Sequence, residues 1–240
     1  MGRSTKLISN PAQRTYKWKN EKFDRKTKTV TREAGWYYWD KSVGEEGEEV
    51  KLESPIRFIW LETMQSVSGY SKKEESGIYS NEVPGTPDAV KEYGKQELFV
   101  KIGTEVIASG SWKEISEEVK GNGGKYTLAV YGIMMGENEQ FEIVRFLFAG
   151  SSRDPWMKVG DRQKLLTNAI IITNEYKEVE METGETYQSP TLRLEKLTEL
   201  EKTTADELYP MVREFFKFQF DEESDNKKEI VDQHPDAADY

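Results

Sequence analysis

The sequence predicts a mainly β protein, and three observations carry that prediction. Aromatic-rich or alternating stretches recur between turn signals, as strands with a period of two do, and GWYYWDK (Gly35 to Lys41) is the densest of them. One well-formed helix signal, SWKEISEEVKG (Ser111 to Gly121), stands between two groups of such stretches. A hydrophobic content of 36% with 12% aromatic residues is enough to fill a core in a chain of 240 residues.

Along the chain, Gly35 to Lys41 is the first strand, followed by a turn at GEEGEE. A long second strand fits ESPIRFIWLETMQSVSGYS, with Ile56, Phe58 and Trp60 on alternate positions. The stretch from Lys72 to Gln96 is polar and broken by Gly77, Pro84, Gly85 and Pro87, which predicts an exposed excursion. ELFVKIGTEVIASG then reads as a strand or a hairpin turning at Gly103. Ser111 caps a helix, Glu114 completes a capping box three residues later, and Gly121 ends it. GKYTLAVYGIMM and EQFEIVRFLFAG are two further strands separated by GENE, which is hairpin chemistry.

The order β, β, β, α, β, β is the connectivity of the OB-fold, a five-stranded Greek-key barrel whose open face and loops take oligonucleotides or oligosaccharides. After Gly150, SSRDPWMKVGDRQKLL predicts a helix, and Ala169 to Leu197 a strand pair turning at TGET. A last helix begins at Thr204, with Glu207 completing a capping box, and either starts late or kinks at Pro210. The predicted organisation is an N-terminal basic aromatic arm (1–33), an OB-fold core (34–150), a β-hairpin and helical extension packed on it (151–220), and a disordered acidic tail (221–240).

Composition narrows the chemistry. The chain has no Cys and a single His, His234, in the polar context DQHPDAADY, so Ser-His-Asp and Cys-His nucleophilic catalysis and thiolate metal sites are not expected. No tight acidic cluster with a supporting His or Lys stands out, which disfavours a carboxylate-metal nuclease. Neither an enzymatic activity, a cofactor nor a metal is predicted. The longest apolar run, at Asn168 to Ile172, is too short to cross a bilayer, and MGRSTKLISNPAQ lacks the apolar segment of a signal peptide, so a cytoplasmic location is the default.

The net charge of −10 is unevenly spread. Residues 1–41 carry a balance of +7, residues 221–240 a balance of −6, and the remainder −11. In TYKWKNEKFDRKTKTVTR the aromatics Tyr16, Trp18 and Phe23 alternate with cations. Single-stranded nucleic acid is held by cations tracking phosphates and by aromatic faces stacking on bases, and this stretch supplies both. The alternative for Trp18 is a first strand whose aromatics seal a barrel. In the adjacent quartet, Trp36 and Tyr38 share one face and Tyr37 and Trp39 the other; a barrel needs one pair and leaves the other as a stacking platform.

The candidate DNA-binding residues are therefore the aromatics Tyr16, Trp18, Trp36, Tyr37, Tyr38, Trp39, Tyr70 and Tyr79, with the cations Lys17, Lys19, Lys22, Arg25, Lys26, Lys28, Lys72 and Lys73. GNGGK (Gly121 to Lys125) follows a helix and precedes a strand, the reverse of a phosphate-binding P-loop, and reads as a helix C-cap. The tail is acidic, almost without apolar residues, and ends on an aromatic residue. It has two roles open to it: occupying the protein's own cationic groove in competition with DNA, or docking its end, with Asp232, Asp236, Asp239 and Tyr240, on a partner protein.

An acidic tail with a terminal aromatic residue behind an OB-like strand order resembles the single-stranded-DNA-binding proteins of bacteriophages. SNPAQRTYKWK (Ser9 to Lys19), WYYWDK (Trp36 to Lys41), SGIYSNEV (Ser76 to Val83) and GGKYTLAVY (Gly123 to Tyr131) are similar to stretches of that family. The resemblance covers about residues 9–150 and the tail. It implies a protein that coats single-stranded DNA without sequence preference during replication, recombination and repair, in the host cytoplasm, and recruits replication or recombination proteins through its tail. The balance of −11 in the middle of the chain departs from that pattern and must be segregated from any groove. The rival expectation is a carbohydrate-binding or virion structural β-domain, since exposed Trp and Tyr also stack on sugar rings; the basic arm separates the two.

Overall fold

The computed structural model describes residues 9–24, 26–43, 46–136, 139–181 and 183–225, with only the backbone of 221–225. In chain order the elements are β1 (Arg14–Lys19), β2 (Lys22–Asp24), β3 (Thr29–Arg32), β4 (Gly35–Asp40), β5 (Glu48–Lys51), β6 (Ile56–Ser71), β7 (Ser76–Ser80) and β8 (Val83–Pro84). There follow α1 (Pro87–Tyr93), β9 (Leu98–Ile102), β10 (Glu105–Gly110), α2 (Trp112–Gly121), β11 (Gly124–Met135) and β12 (Phe141–Ala149). A 3-10 turn (Gly150–Ser152) leads to α3 (Arg153–Val159), α4 (Arg162–Leu165), β13 (Asn168–Glu180), β14 (Thr186–Lys196) and α5 (Glu199–Asp225).

The protein is mainly β, as the sequence predicts, but its sheet is larger than a five-stranded barrel and does not close. The strands run in the order β10-β9-β7-β6-β11-β12-β1-β4-β5, with β1 parallel to β12 and the other neighbours antiparallel. β13 pairs with the start of β6 and with β14, and also lies against β4, so the sheet curls until β13 spans its two sides. Between β13 and β4 a side chain replaces the ladder: the main-chain N–H of Trp36 donates to Asn174 Oδ1 (2.9 Å), and Asn174 Nδ2 donates to the carbonyl of Leu52 (2.7 Å).

Inside the curl, inward residues of β1, β4, β6, β11, β12 and β13 meet α3 and α4 in an aromatic core. Phe146 is its hub, stacked on Tyr16 (centroids 4.7 Å) and edge-on to Phe58 (4.9 Å) and Trp36 (5.1 Å). On the opposite face, Val212, Phe215, Phe216 and Phe220 of α5 and Ala89 and Tyr93 of α1 cover Ile59, Met64, Ala129, Tyr131 and Ile133. A third cluster joins β7, β9, β10 and α2 around Ile78, Val100 and Val119.

Several elements differ from the sequence reading. The part of the predicted arm at 14–19 is not apart from the core, because β1 lies between β12 and β4 inside the sheet, while β2 and β3 form a separate two-stranded ribbon. The stretch after β6 is no exposed excursion: its turn at 72–75 leads into β7, which hydrogen-bonds to β6 and β9 and buries Ile78. Thr86 caps α1, with Pro87 in its first turn. The last helix starts before Thr204, at a capping box between Thr198 and Glu201 (Thr198 N–H to Glu201 Oε2 2.8 Å, Glu201 N–H to Thr198 Oγ1 3.2 Å), and runs on through Pro210 to Asp225. Helical backbone thus extends into the first residues expected to be tail.

Two buried polar groups tie the layers. Arg145 Nη1 donates to Glu82 Oε1 (2.6 Å), Tyr131 donates to Glu82 Oε2 (2.7 Å), and Arg145 Nη2 reaches Thr15 Oγ1 (3.0 Å). Through Thr15 this hydrogen-bonded buried pair links β1 to β12 and to Glu82. Glu62, under α5, instead accepts from the N–H of Thr63 (2.9 Å) and the hydroxyl of Tyr209 (3.4 Å), and burial pushes its carboxyl above the usual range. The folded state therefore holds that proton more tightly than the unfolded chain. The resulting destabilisation is present at neutral pH and disappears as pH falls through the raised value toward the ordinary 4.5.

Two outcomes follow for stability. Phe146→Ala removes the hub ring and should cost about 3–5 kcal/mol in denaturant unfolding. Glu62→Gln should melt at a higher temperature than the parent at pH 7.5, with the difference shrinking as the pH is lowered to 4; a constant difference across that range would contradict the assignment.

Candidate functional site

Strand alternation decides which side chains face away from the aromatic core. On β1, Tyr16 and Trp18 contribute to that core, so Lys17 and Lys19 project from the other face, beside Leu147 and Ala149 of β12. The end of β1, the end of β6, the start of β11 and the end of β12 all lie at one end of the sheet, as their registers require. There they enclose a cleft of about 860 Å³.

Its lining is strongly polarised. Lys17, Lys19, Arg32, Lys72, Lys73, Lys120 and Lys125 border it, and no Asp or Glu does among the described residues. Acids stand just outside: Glu49 pairs with Lys19, and Glu74 with Lys73 (2.8 Å). Lys120 lies over the Trp112 ring (5.8 Å). A concave surface lined by one sign of charge focuses its potential and concentrates polyanions.

The floor is built from backbone. A Cβ on Gly69 would sit 2.5 Å from the carbonyl oxygen of Gly123, and one on Gly123, at φ +97°, would sit 2.5 Å from that of Tyr70. The paired ends of β6 and β11 approach here with no room for side chains, leaving a floor of backbone beneath the lysines. Ser68, Asn20 and Ser151 add hydroxyl and amide groups, with Ser68 and Thr127 sharing a hydrogen bond (2.7 Å) and Ser151 and Asn20 another (3.3 Å).

Of the residues singled out from sequence, Lys17, Trp18, Lys19, Tyr70, Lys72 and Lys73 come together in this cleft. Tyr70 is 40% exposed. Trp18 is half-buried, its Nε1 shared between Asn20 Oδ1 and the carbonyl of Gln188 (3.1 Å each). Lys22, Lys26 and Lys28 are exposed on the β2–β3 ribbon, outside the cleft lining, with Phe23 (53% exposed) opposite Val30. Arg25, Asp232, Asp236, Asp239 and Tyr240 lie outside the described residues.

The remaining aromatics are corrections. Tyr16, Trp36 and Tyr37 are buried and offer no face to a base. Trp36 and Tyr38 form the inward pair of the quartet, Tyr38 packing on Tyr16 (5.1 Å). In the outward pair, buried Tyr37 donates its hydroxyl to the carbonyl of Glu33 (2.8 Å), and Trp39 is half-buried beside Gly47, outside the cleft lining. Half-buried Tyr79 donates to the carbonyl of Gly103 and is not among the residues lining the cleft, although its cross-strand partner Ser68 is.

Sequence reasoning missed Arg32, Lys120 and Lys125. GNGG is the helix C-cap it was read as, with Asn122 as cap, but the lysines bracketing it face the cleft. That bracketing was the available signal. Among the described residues, no group of three His, Cys, Asp or Glu side chains is placed to hold a metal ion, and no helix is long and apolar enough to cross a membrane. A comparison of the chain with protein-family models, curated proteins and solved structures finds no match.

Lys72 and Lys125 are exposed, so reversing both charges should leave the melting temperature nearly unchanged. The Lys72→Glu, Lys125→Glu double variant should elute from a heparin column at markedly lower salt than the parent. Unchanged elution would show that the cleft does not set the protein's polyanion affinity.

Proposed function

We propose that the protein binds single-stranded DNA non-covalently and without sequence specificity, with phosphates over the lysines of the cleft and bases against the aromatics at its edge. The observation that carries this reading is the cleft itself: seven cations and no acid among its described lining residues, in a chain of net charge −10. Counterion release makes such binding favourable and salt-sensitive, and Trp18 and Tyr70 bring rings to the same surface. A neutral oligosaccharide gains nothing from seven cations, which weighs against the carbohydrate-binding reading. The curled sheet around the aromatic core supports an OB-type binding domain enlarged by β7, β9, β10 and the β13–β14 hairpin.

The phage replication, recombination and repair role, with location in the host cytoplasm, belongs to the same proposal and rests on the sequence resemblance. So does recruitment of partner proteins by the tail. Competition of the tail with DNA has a geometric support. α5 runs along the sheet in the same sense as β6, with Glu201 at Arg57 (2.7 Å) and Tyr209 at Glu62, so its last turns head toward the end that holds the cleft.

The test is a titration of labelled single-stranded DNA, duplex DNA and a neutral oligosaccharide at two salt concentrations, with the full chain and with a chain ending at Asp225. The proposal expects preference for single-stranded DNA, quenched Trp fluorescence, affinity lost with salt and tighter binding without residues 226–240. No binding of single-stranded DNA by the shortened chain at low salt would overturn it.

A further inference from the structure

The β13–β14 hairpin parts from β6 after Ile172 and continues as an exposed ribbon. Its middle is fastened to the cleft rim. Gln188 accepts from Trp18 Nε1 at its carbonyl (3.1 Å) and from the N–H of Glu21 at its side chain (3.3 Å), and Ser189 Oγ donates to the carbonyl of Ser151 (3.0 Å). Trp18 and Ser151 both line the cleft.

The pairing of β13 with β14 is irregular between Ile172 and Tyr176, and Asn174, inside that irregularity, is held by Trp36 and Leu52. Such a bulge re-aims the residue that follows it. Here that residue is Tyr176, which is 41% exposed and meets the Trp18 ring edge-on, with centroids 6.5 Å apart at 63°. Trp18 in turn packs edge-on against buried Trp36 (5.6 Å). Tyr176 is thus a solvent-facing ring backed by core aromatics, next to the cleft.

The charge changes sign at this point. Glu175, Glu178 and Glu180 flank Tyr176 on β13 against Lys177 alone, and alternation puts Glu178 on the same face as Tyr176. A phosphate is repelled there, whereas an uncharged ring is not. We propose that Tyr176, braced by Trp18, is a nucleobase subsite that stacks one base of a single strand whose phosphates remain over the cleft lysines. This rests on the proposed function and assigns a specific role to the C-terminal hairpin.

The experiment compares the full-length protein with Tyr176→Ala, Tyr176→Phe and Lys125→Ala, measuring oligothymidylate affinity between about 50 and 200 mM salt. Tyr176→Ala should lose roughly tenfold in affinity, as removal of one base stack does, with the slope of log affinity against log salt unchanged. Tyr176→Phe should bind like the parent, and Lys125→Ala should flatten the slope by about 0.7, one phosphate contact on a single strand. On an oligomer of abasic sugar-phosphates, Tyr176→Ala should match the parent. Parent-like affinity of Tyr176→Ala on oligothymidylate, or a flattened slope, would overturn the subsite and leave the proposed function standing. A parent protein that does not bind oligothymidylate would overturn both.

Discussion

Everything in this structure depends on how β6 satisfies its backbone. Its sixteen residues hydrogen-bond to β11 from Ile59 to Gly69 on one edge, and to β13, β8 and β7 in succession on the other. Buried main-chain groups must be paired, so a strand this long, with most residues buried, draws partners from the whole chain. The pairing with β13 curls the sheet around the aromatic core, and the pairing with β7 adds the third cluster. The pairing with β11 brings the glycines at 69 and 123 into contact and so forms the cleft floor.

The same arrangement segregates charge. In an acidic chain the cleft stays basic because no carboxylate among the described residues lines it, and several are paired elsewhere: Glu82 is buried against Arg145, Glu195 and Glu201 both bind Arg57, and Glu92 binds Arg213. The basic character of the cleft is therefore a property of arrangement and not of composition.

The aromatic residues divide along similar lines. In β1 and β4 they serve mainly the core, where Phe146 meets Tyr16 and Trp36. Among the described residues, those left with exposed rings, Phe23, Tyr70 and Tyr176, lie on a ribbon, near a turn and beside a bulge. These are places where the chain leaves the regular ladder and its side chains are not enclosed by a facing layer.

The amino-acid sequence by itself determined the local elements whose signals are local. Alternation marked β4, β6, β9 and β10, the capping box at Ser111 and Glu114 marked α2, and the interleaving of cations with aromatics placed Lys17 and Lys19 among the candidates; Lys72 and Lys73 came from their place after the second strand, and all four are found in one cleft. It could not say which face of an alternating strand is buried, because a period of two is indifferent to which side the core lies on. Only the tertiary structure decided that Trp36 and Tyr38 point inward, that β1 is a strand within the sheet, and that Arg32, Lys120 and Lys125, from distant parts of the chain, border one cleft. Those outcomes follow from register and strand order, which are set by long-range pairing and leave no mark on the residues that obey them.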